Sequence, residues 1–208
     1  MSTITMPAAL RVGAQSFGQE RFDLVERSDA TGDTSVRLFG PPRWTMGLAA
    51  KSGLDLADAG VWEVLLIQLR GSVNVLAAWD VNKPAPLGTA RGSPTLSANA
   101  TAGASSISVT GFTAAGTLKQ GDWLQVGTGV GTSQLVKVTA DITLNGSGAG
   151  SVAVEPPIRK QINSGATVTW DKPLGYYRMQ AKGFSWDAMP GFLASSGFAC
   201  DFLETFAP

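Results

Sequence analysis

The sequence predicts a mainly β protein: a β-sandwich host carrying one α-helix, with a small all-β barrel or sandwich inserted into it. Three observations predict this. Apolar residues alternate with period two near both ends of the chain, and one stretch around residues 58–73 switches to three- and four-residue spacing. The interval from Gly92 to Pro173 then changes composition, with five basic and four acidic side chains in 82 residues against eleven and twelve in the other 126. With 25 Gly, 11 Pro, six Trp and 44% hydrophobic residues in 208, the chain is turn-rich yet has far more to bury than a disordered one.

In chain order, Arg21 to Arg27 and Ser35 to Phe39 read as strands joined at a Thr31-Gly32-Asp33 turn, with Pro41-Pro42 as a break. Trp44, Met46 and Leu48 then share one strand face. Between Asp58 and Val73, the residues Val61, Trp62, Leu65, Leu66, Leu69 and Val73 form one face of a helix, which Asp55 or Asp58 can cap and Gly71 can end. A strand from Val75 to Asp80 follows. Inside the low-charge interval, Ser106–Val109, Trp123–Val126, Leu135–Val138, Ser151–Val154 and Thr167–Trp170 are short strands separated by turns such as Gly121-Asp122 and Asn145–Gly148. From Tyr176 to Pro208 the character of the first ninety residues returns, with Phe198, Cys200 and Phe202 alternating on one face, so this segment should supply closing strands to the first sheet. The expected domains are therefore 1–91 with 174–208 as host and 92–173 as insert.

Composition excludes several chemistries. The chain has no histidine, which removes Ser-His-Asp and Cys-His nucleophilic sites, imidazole bases and His-containing metal sites. Sixteen basic and sixteen acidic residues give zero net charge, without the basic footprint of a nucleic-acid binder. A lone cysteine forms no internal disulfide. The longest aliphatic run, Val64 to Ile67, is far short of the ~20 residues a membrane span needs. Met1 to Leu10 has neither a basic start nor an apolar block, so no secretory signal and synthesis in a cytoplasm are expected.

The polar candidates read as fold-forming. Asp55, Asp58 and Glu63 could form a carboxylate site, but Asp55 and Asp58 sit where a helix N-terminus attracts acid, so capping is the better reading. Asp122 lies in a Gly-Asp turn, and Glu155 before Pro156-Pro157 has no second acid or base at a useful spacing. Gly127 to Thr132 is Gly-rich, but no Lys-Ser/Thr follows and a strand succeeds it, which is the wrong setting for a phosphate loop. Cys200 falls on a core face and is expected to be a buried, inert thiol. No catalytic, cofactor or metal site emerges. The candidate contacts for a sugar or a protein partner are aromatic: Trp123 and Trp170, with Trp186 beside them.

Three stretches carry a family resemblance. Val61 to Asn74 and the following Trp79-Asp80 resemble the LRG-x-VN-x-x-x-x-WD pattern of minor tail proteins from long-tailed, non-contractile bacteriophages. Leu118 to Gly127, Gln134 to Asp141, Val154 to Arg159 and Gly165 to Thr169 look like a β module of the same proteins. The closing Gly197 to Phe206 segment resembles the terminal strand of the distal tail protein family. That resemblance implies a virion structural protein at the tail tip, with no enzyme activity and no cofactor. Residues 1–91 and 174–208 would be the ring-forming belt domain, assembled as a hexamer, and 92–173 the peripheral domain. The implied neighbours are the tail tube protein, the hub and tip proteins and the tape-measure protein, with DNA passing through the lumen without specific binding and no membrane contact. The alternatives are a glycan- or receptor-binding module on the tail tip, or another minor tail protein of tube or hub type.

Overall fold

The structure, a computed structural model, describes residues 1–181, 183–189 and 194–207. It is mainly β, with seventeen strands and one helix among those residues. Residues 182, 190–193 and 208 of the predicted closing segment lie outside them.

The host begins with β1 (Thr3–Thr5), β2 (Val12–Arg27), β3 (Thr34–Ala50) and β4 (Leu54–Asp55), followed by α1 (Leu56–Leu69) and β5 (Val75–Ala78). The insert contributes β6 (Gly92–Leu96), β7 (Ser106–Phe112), β8 (Thr117–Leu118), β9 (Trp123–Val126), β10 (Gln134–Val138), β11 (Ile142–Thr143), β12 (Gly150–Glu155) and β13 (Val168–Thr169). The chain then returns with β14 (Gly175–Met179), β15 (Asp187–Met189), β16 (Ala194–Ser196) and β17 (Ala199–Glu204).

The host sheet runs β1-β5-β14-β17-β3-β2, and a second, three-stranded sheet runs β15-β16-β4. All neighbours in the large sheet pair antiparallel except β1 with β5. Its centre is filled by the predicted alternation: Trp44, Met46 and Leu48 from β3, and Cys200 and Phe202 from β17 with Phe198 just before it, are all buried. Against them pack Trp62, Leu65, Leu66 and Leu69 of α1, with Trp62 stacked on Phe198 at 5.9 Å.

The helix is shorter than its periodicity predicts. Asp55 is the N-cap, its carboxylate accepting from the Asp58 N–H at 2.7 Å. The C-cap is Arg70 rather than Gly71, in a left-handed conformation with φ 50. The predicted last turn is consumed by capping: Asn74 donates its side-chain N–H to the Gln68 carbonyl at 2.8 Å and its backbone N–H to that of Leu69 at 3.1 Å. Val73 is consequently exposed rather than part of the buried face.

Pro41-Pro42 does not break β3, contrary to expectation. The register jumps from Glu20↔Arg43 to Phe22↔Gly40, which leaves both prolines outside the ladder. On the other side of β3 the pairing with β17 has already ended at Leu203↔Thr45. A missing N–H therefore removes no ladder bond, the situation in which a strand tolerates proline.

The insert's sheet runs β13-β9-β10-β12-β7-β6, and a bridge between Thr95 and Thr167 brings its two ends together into a nearly closed barrel. Its interior is aliphatic: Leu96, Ile107, Val109, Leu124, Val126, Val136, Val138, Val152, Val154 and Val168 are buried there. The five predicted strands are present, Trp123–Val126 with its predicted ends and the other four with shifted ones. β6 was not visible in the pattern because Gly, Ser and Pro occupy its first three positions.

Candidate functional site

The seam between host and barrel is built around Trp123, the first residue of β9. It is 3% exposed and belongs to the host core rather than to the barrel's own. Its ring meets Trp44 edge-on at 4.8 Å and Phe17 at 5.4 Å. The Lys137 ammonium lies 4.2 Å from its centroid, and burial lowers the pKa of that lysine, with Lys83 adding to the effect and Asp80 opposing it. Its indole N–H donates to Asp80 Oδ2 at 2.9 Å, while Asp80 Oδ1 accepts from the backbone of Asn82 and Lys83. Trp44 completes the joint by donating its indole N–H to the Leu135 carbonyl at 2.9 Å. Both ring faces of Trp123 are spoken for, so it offers no platform to a sugar.

The other aromatic candidates are partly open. Trp170 is half-buried, donates to the Gly92 carbonyl at 2.8 Å and carries the Arg91 guanidinium 5.0 Å from its ring. Trp186 stacks between Phe184 and Phe198 at 5.9 and 5.8 Å, an extension of the host core. The three tryptophans are not brought together into one surface.

A second feature of the seam is charged. Glu204 is only 4% exposed and accepts from the Trp44 backbone N–H at 2.9 Å. Burial pushes its carboxyl up to about 7, against the opposing pull of that hydrogen bond and of Arg159 and Arg43. Arg159 of the barrel stacks on Phe206 at 3.8 Å, and Arg43 lies between the Phe206 and Phe22 rings at 5.3 and 5.5 Å. The Nε atoms of both arginines and the hydroxyl of Tyr177 are buried without a hydrogen-bond partner. Desolvation holds the Tyr177 hydroxyl well above its ordinary pKa.

The acidic candidates serve turns. Asp122 is buried, with Oδ1 accepting from Leu87 N–H at 2.8 Å and Oδ2 from Lys119 N–H at 2.7 Å, so it ties the incoming linker to the barrel. Glu155 is exposed. Residues 127–132 form the β9–β10 turn, with Gly127, Gly129 and Gly131 all at positive φ. The Ser133 N–H and hydroxyl both donate back to the Gly129 carbonyl, which makes this a self-satisfied turn. Beside it a cavity of about 170 Å³ is lined by 131–134 and 159–163, a polar wall that includes Thr132, Gln134, Arg159, Lys160, Gln161 and Asn163. Cys200 is buried on the host face, and desolvation raises its thiol to about 11. Among the described residues no group of three His, Cys, Asp or Glu side chains is placed to hold a metal.

The remaining feature is an arm. Beyond the point where β17 stops, β2 and β3 continue as a two-stranded ribbon, and residues 21–39 are exposed throughout. The ribbon carries Phe22, Leu24, Val25, Val36, Leu38 and Phe39 into solvent. Helix α1 is also unusual, since Leu56, Val64 and Ile67 stand exposed opposite its buried face. The sequence did show the hairpin, but not that the rest of the sheet fails to support it. The available signal was that apolar residues fall on both faces of these strands instead of alternating cleanly with polar ones.

No family model matches the chain, and no curated protein matches it.

Proposed function

We propose that the chain is a structural protein of a bacteriophage virion: the distal tail adaptor of a long, non-contractile tail, whose copies close into a ring between the tail tube and the tip hub. In this reading the ring is a hexamer made in the host cytoplasm and placed at the tail tip, and the chain performs no catalysis. The observation that supports it best is the exposed arm of residues 21–39. A two-stranded ribbon alone is marginally stable in water and becomes stable by packing on something else, which is the behaviour of an assembly element. The sequence resemblance supplies the kind of assembly. Zero net charge suits a lumen through which DNA must slide without sticking.

A second reading, a glycan- or receptor-binding module displayed at the tip, draws on the polar cavity beside Arg159 and Lys160 in the barrel. Phage particles carrying a deletion of residues 92–173 separate the two. Particles that assemble but adsorb poorly assign receptor contact to the barrel; unchanged adsorption removes that reading. Electron microscopy of the tail tip tests the first reading directly: six copies in a ring are expected, whereas three copies would point to a hub or fibre subunit and overturn it.

A further inference from the structure

Two apolar stripes have no partner among the described residues. On the arm, the register Asp23↔Leu38, Val25↔Val36 and Arg27↔Thr34 puts these six side chains on one face, because directly opposed residues share a face. Leu38, Val25 and Val36 form the stripe, with Asp23 at the root and Arg27 near the tip. On α1, Leu56, Val64 and Ile67 fall on the side away from Trp62, Leu65, Leu66 and Leu69, with Glu63 at the edge of that side. The six apolar residues of the two stripes are 54% to 73% exposed. A helix apolar on both sides is one whose outer side is also destined for burial.

The charges match as well. The ion pairs among the described residues are Arg11–Asp58 and Lys119–Asp141, so Asp23, Arg27, Glu63 and Arg70 make none among those residues. Glu63 and Ile67, one turn apart, are separated by about 6 Å along the helix at its rise per residue. Val25 and Arg27 are about 7 Å apart along the strand. Laid antiparallel, the arm would set Arg27 against Glu63, with Val36 and Val25 over Ile67. The arm is also the kind of ribbon that packing against a helix stabilises.

We infer that the arm of one copy seats on the outer face of α1 of a second copy of this chain. The contact joins two different patches, so it is heterologous and propagates until the rotation closes a ring. The inference rests on the ring reading above and gives that ring its lateral joint.

The test uses the full chain. Val36→Cys and Ile67→Cys variants, each verified to unfold at the wild-type temperature, are mixed and oxidised. A disulfide-linked dimer is expected in the mixture and not in either variant alone, Cys200 being buried. A dimer of Val36→Cys alone, with no additional linkage when Ile67→Cys is mixed in, would establish arm-to-arm pairing and overturn the contact. Arg27→Glu and Glu63→Arg should each weaken self-association in sedimentation by on the order of tenfold, and the double variant should recover most of it. Rings that persist unchanged in both single variants would sink the arm–helix joint while leaving the ring intact. A wild-type chain that stays monomeric at high micromolar concentration would remove both.

Discussion

Asp80, two residues beyond the last host strand before the insert, accepts the indole N–H of Trp123 at 2.9 Å across the seam between the two modules. One carboxylate thereby shapes the turn into the insert through Asn82 and Lys83 and fastens the barrel's β9 to the host. The Trp-Asp pair that carries the sequence resemblance is thus half of a joint, and the other half is 43 residues away.

Truncating Trp123 should therefore loosen the whole molecule and not merely the barrel. Trp123→Ala removes a buried ring from the host core and is expected to lower unfolding free energy by about 3–5 kcal/mol. Trp123→Phe keeps part of the ring and leaves Asp80 Oδ2 short of a donor, for a smaller loss of about 1–3 kcal/mol. Urea denaturation followed by tryptophan fluorescence measures both. An alanine variant as stable as wild type would mean the seam is not a structural joint.

Glu204 should make the fold more stable in acid than in mild base. Its folded pKa of about 7 lies above its ordinary value of 4.5, so the native state holds the proton more tightly than the unfolded chain. Its contribution is full below pH 4.5 and is lost as pH rises through 7, by on the order of 3 kcal/mol for a shift of this size. Glu204→Gln retains an acceptor for the Trp44 N–H and should flatten the stability profile between pH 5 and 8, relative to wild type, in thermal unfolding scans. An identical slope in the two proteins would assign the titration to another group.

Asp55 carries the start of α1. Asp55→Ala should cost about 1 kcal/mol through the lost bond to the Asp58 N–H, and Asp55→Asn much less, because asparagine caps nearly as well. Equal losses in chemical denaturation would show that charge, not the cap bond, is what matters there.

Cys200 should be unreactive in the folded chain. With its thiol raised to about 11 and its side chain on the host core face, modification by a disulfide reagent at pH 8 should run on the order of 100-fold slower than in denaturant. Rapid stoichiometric labelling of the native protein would contradict the burial.

Much of the fold was legible because it rests on local periodicity. The Trp44-Met46-Leu48 and Phe198-Cys200-Phe202 faces lie on adjacent strands, where Met46 pairs with Phe202 and Leu48 with Cys200. What local pattern could not show was which partner each face would find. Trp123 alternates like a barrel residue yet is buried in the host, and Pro41-Pro42 reads as a break until the end of β17 and the register jump opposite are known. The arm is the clearest case. Phe22, Leu24, Val36 and Leu38 have the composition of a core strand, and only the absence of a neighbour in the fold turns them outward.

The insert leaves the host at Ala78 and returns at Gly175, and these two residues are direct partners in the β5–β14 ladder. The entire barrel therefore hangs from adjacent positions of one sheet, about 5 Å apart. The covalent attachment is that of a hairpin loop, while Trp123 and Leu135 supply the packing that holds the barrel against the host core. An exchange of the peripheral module at this single rung would leave every register bond of the host sheet in place, but the incoming module would have to refill the position that Trp123 occupies in the host core.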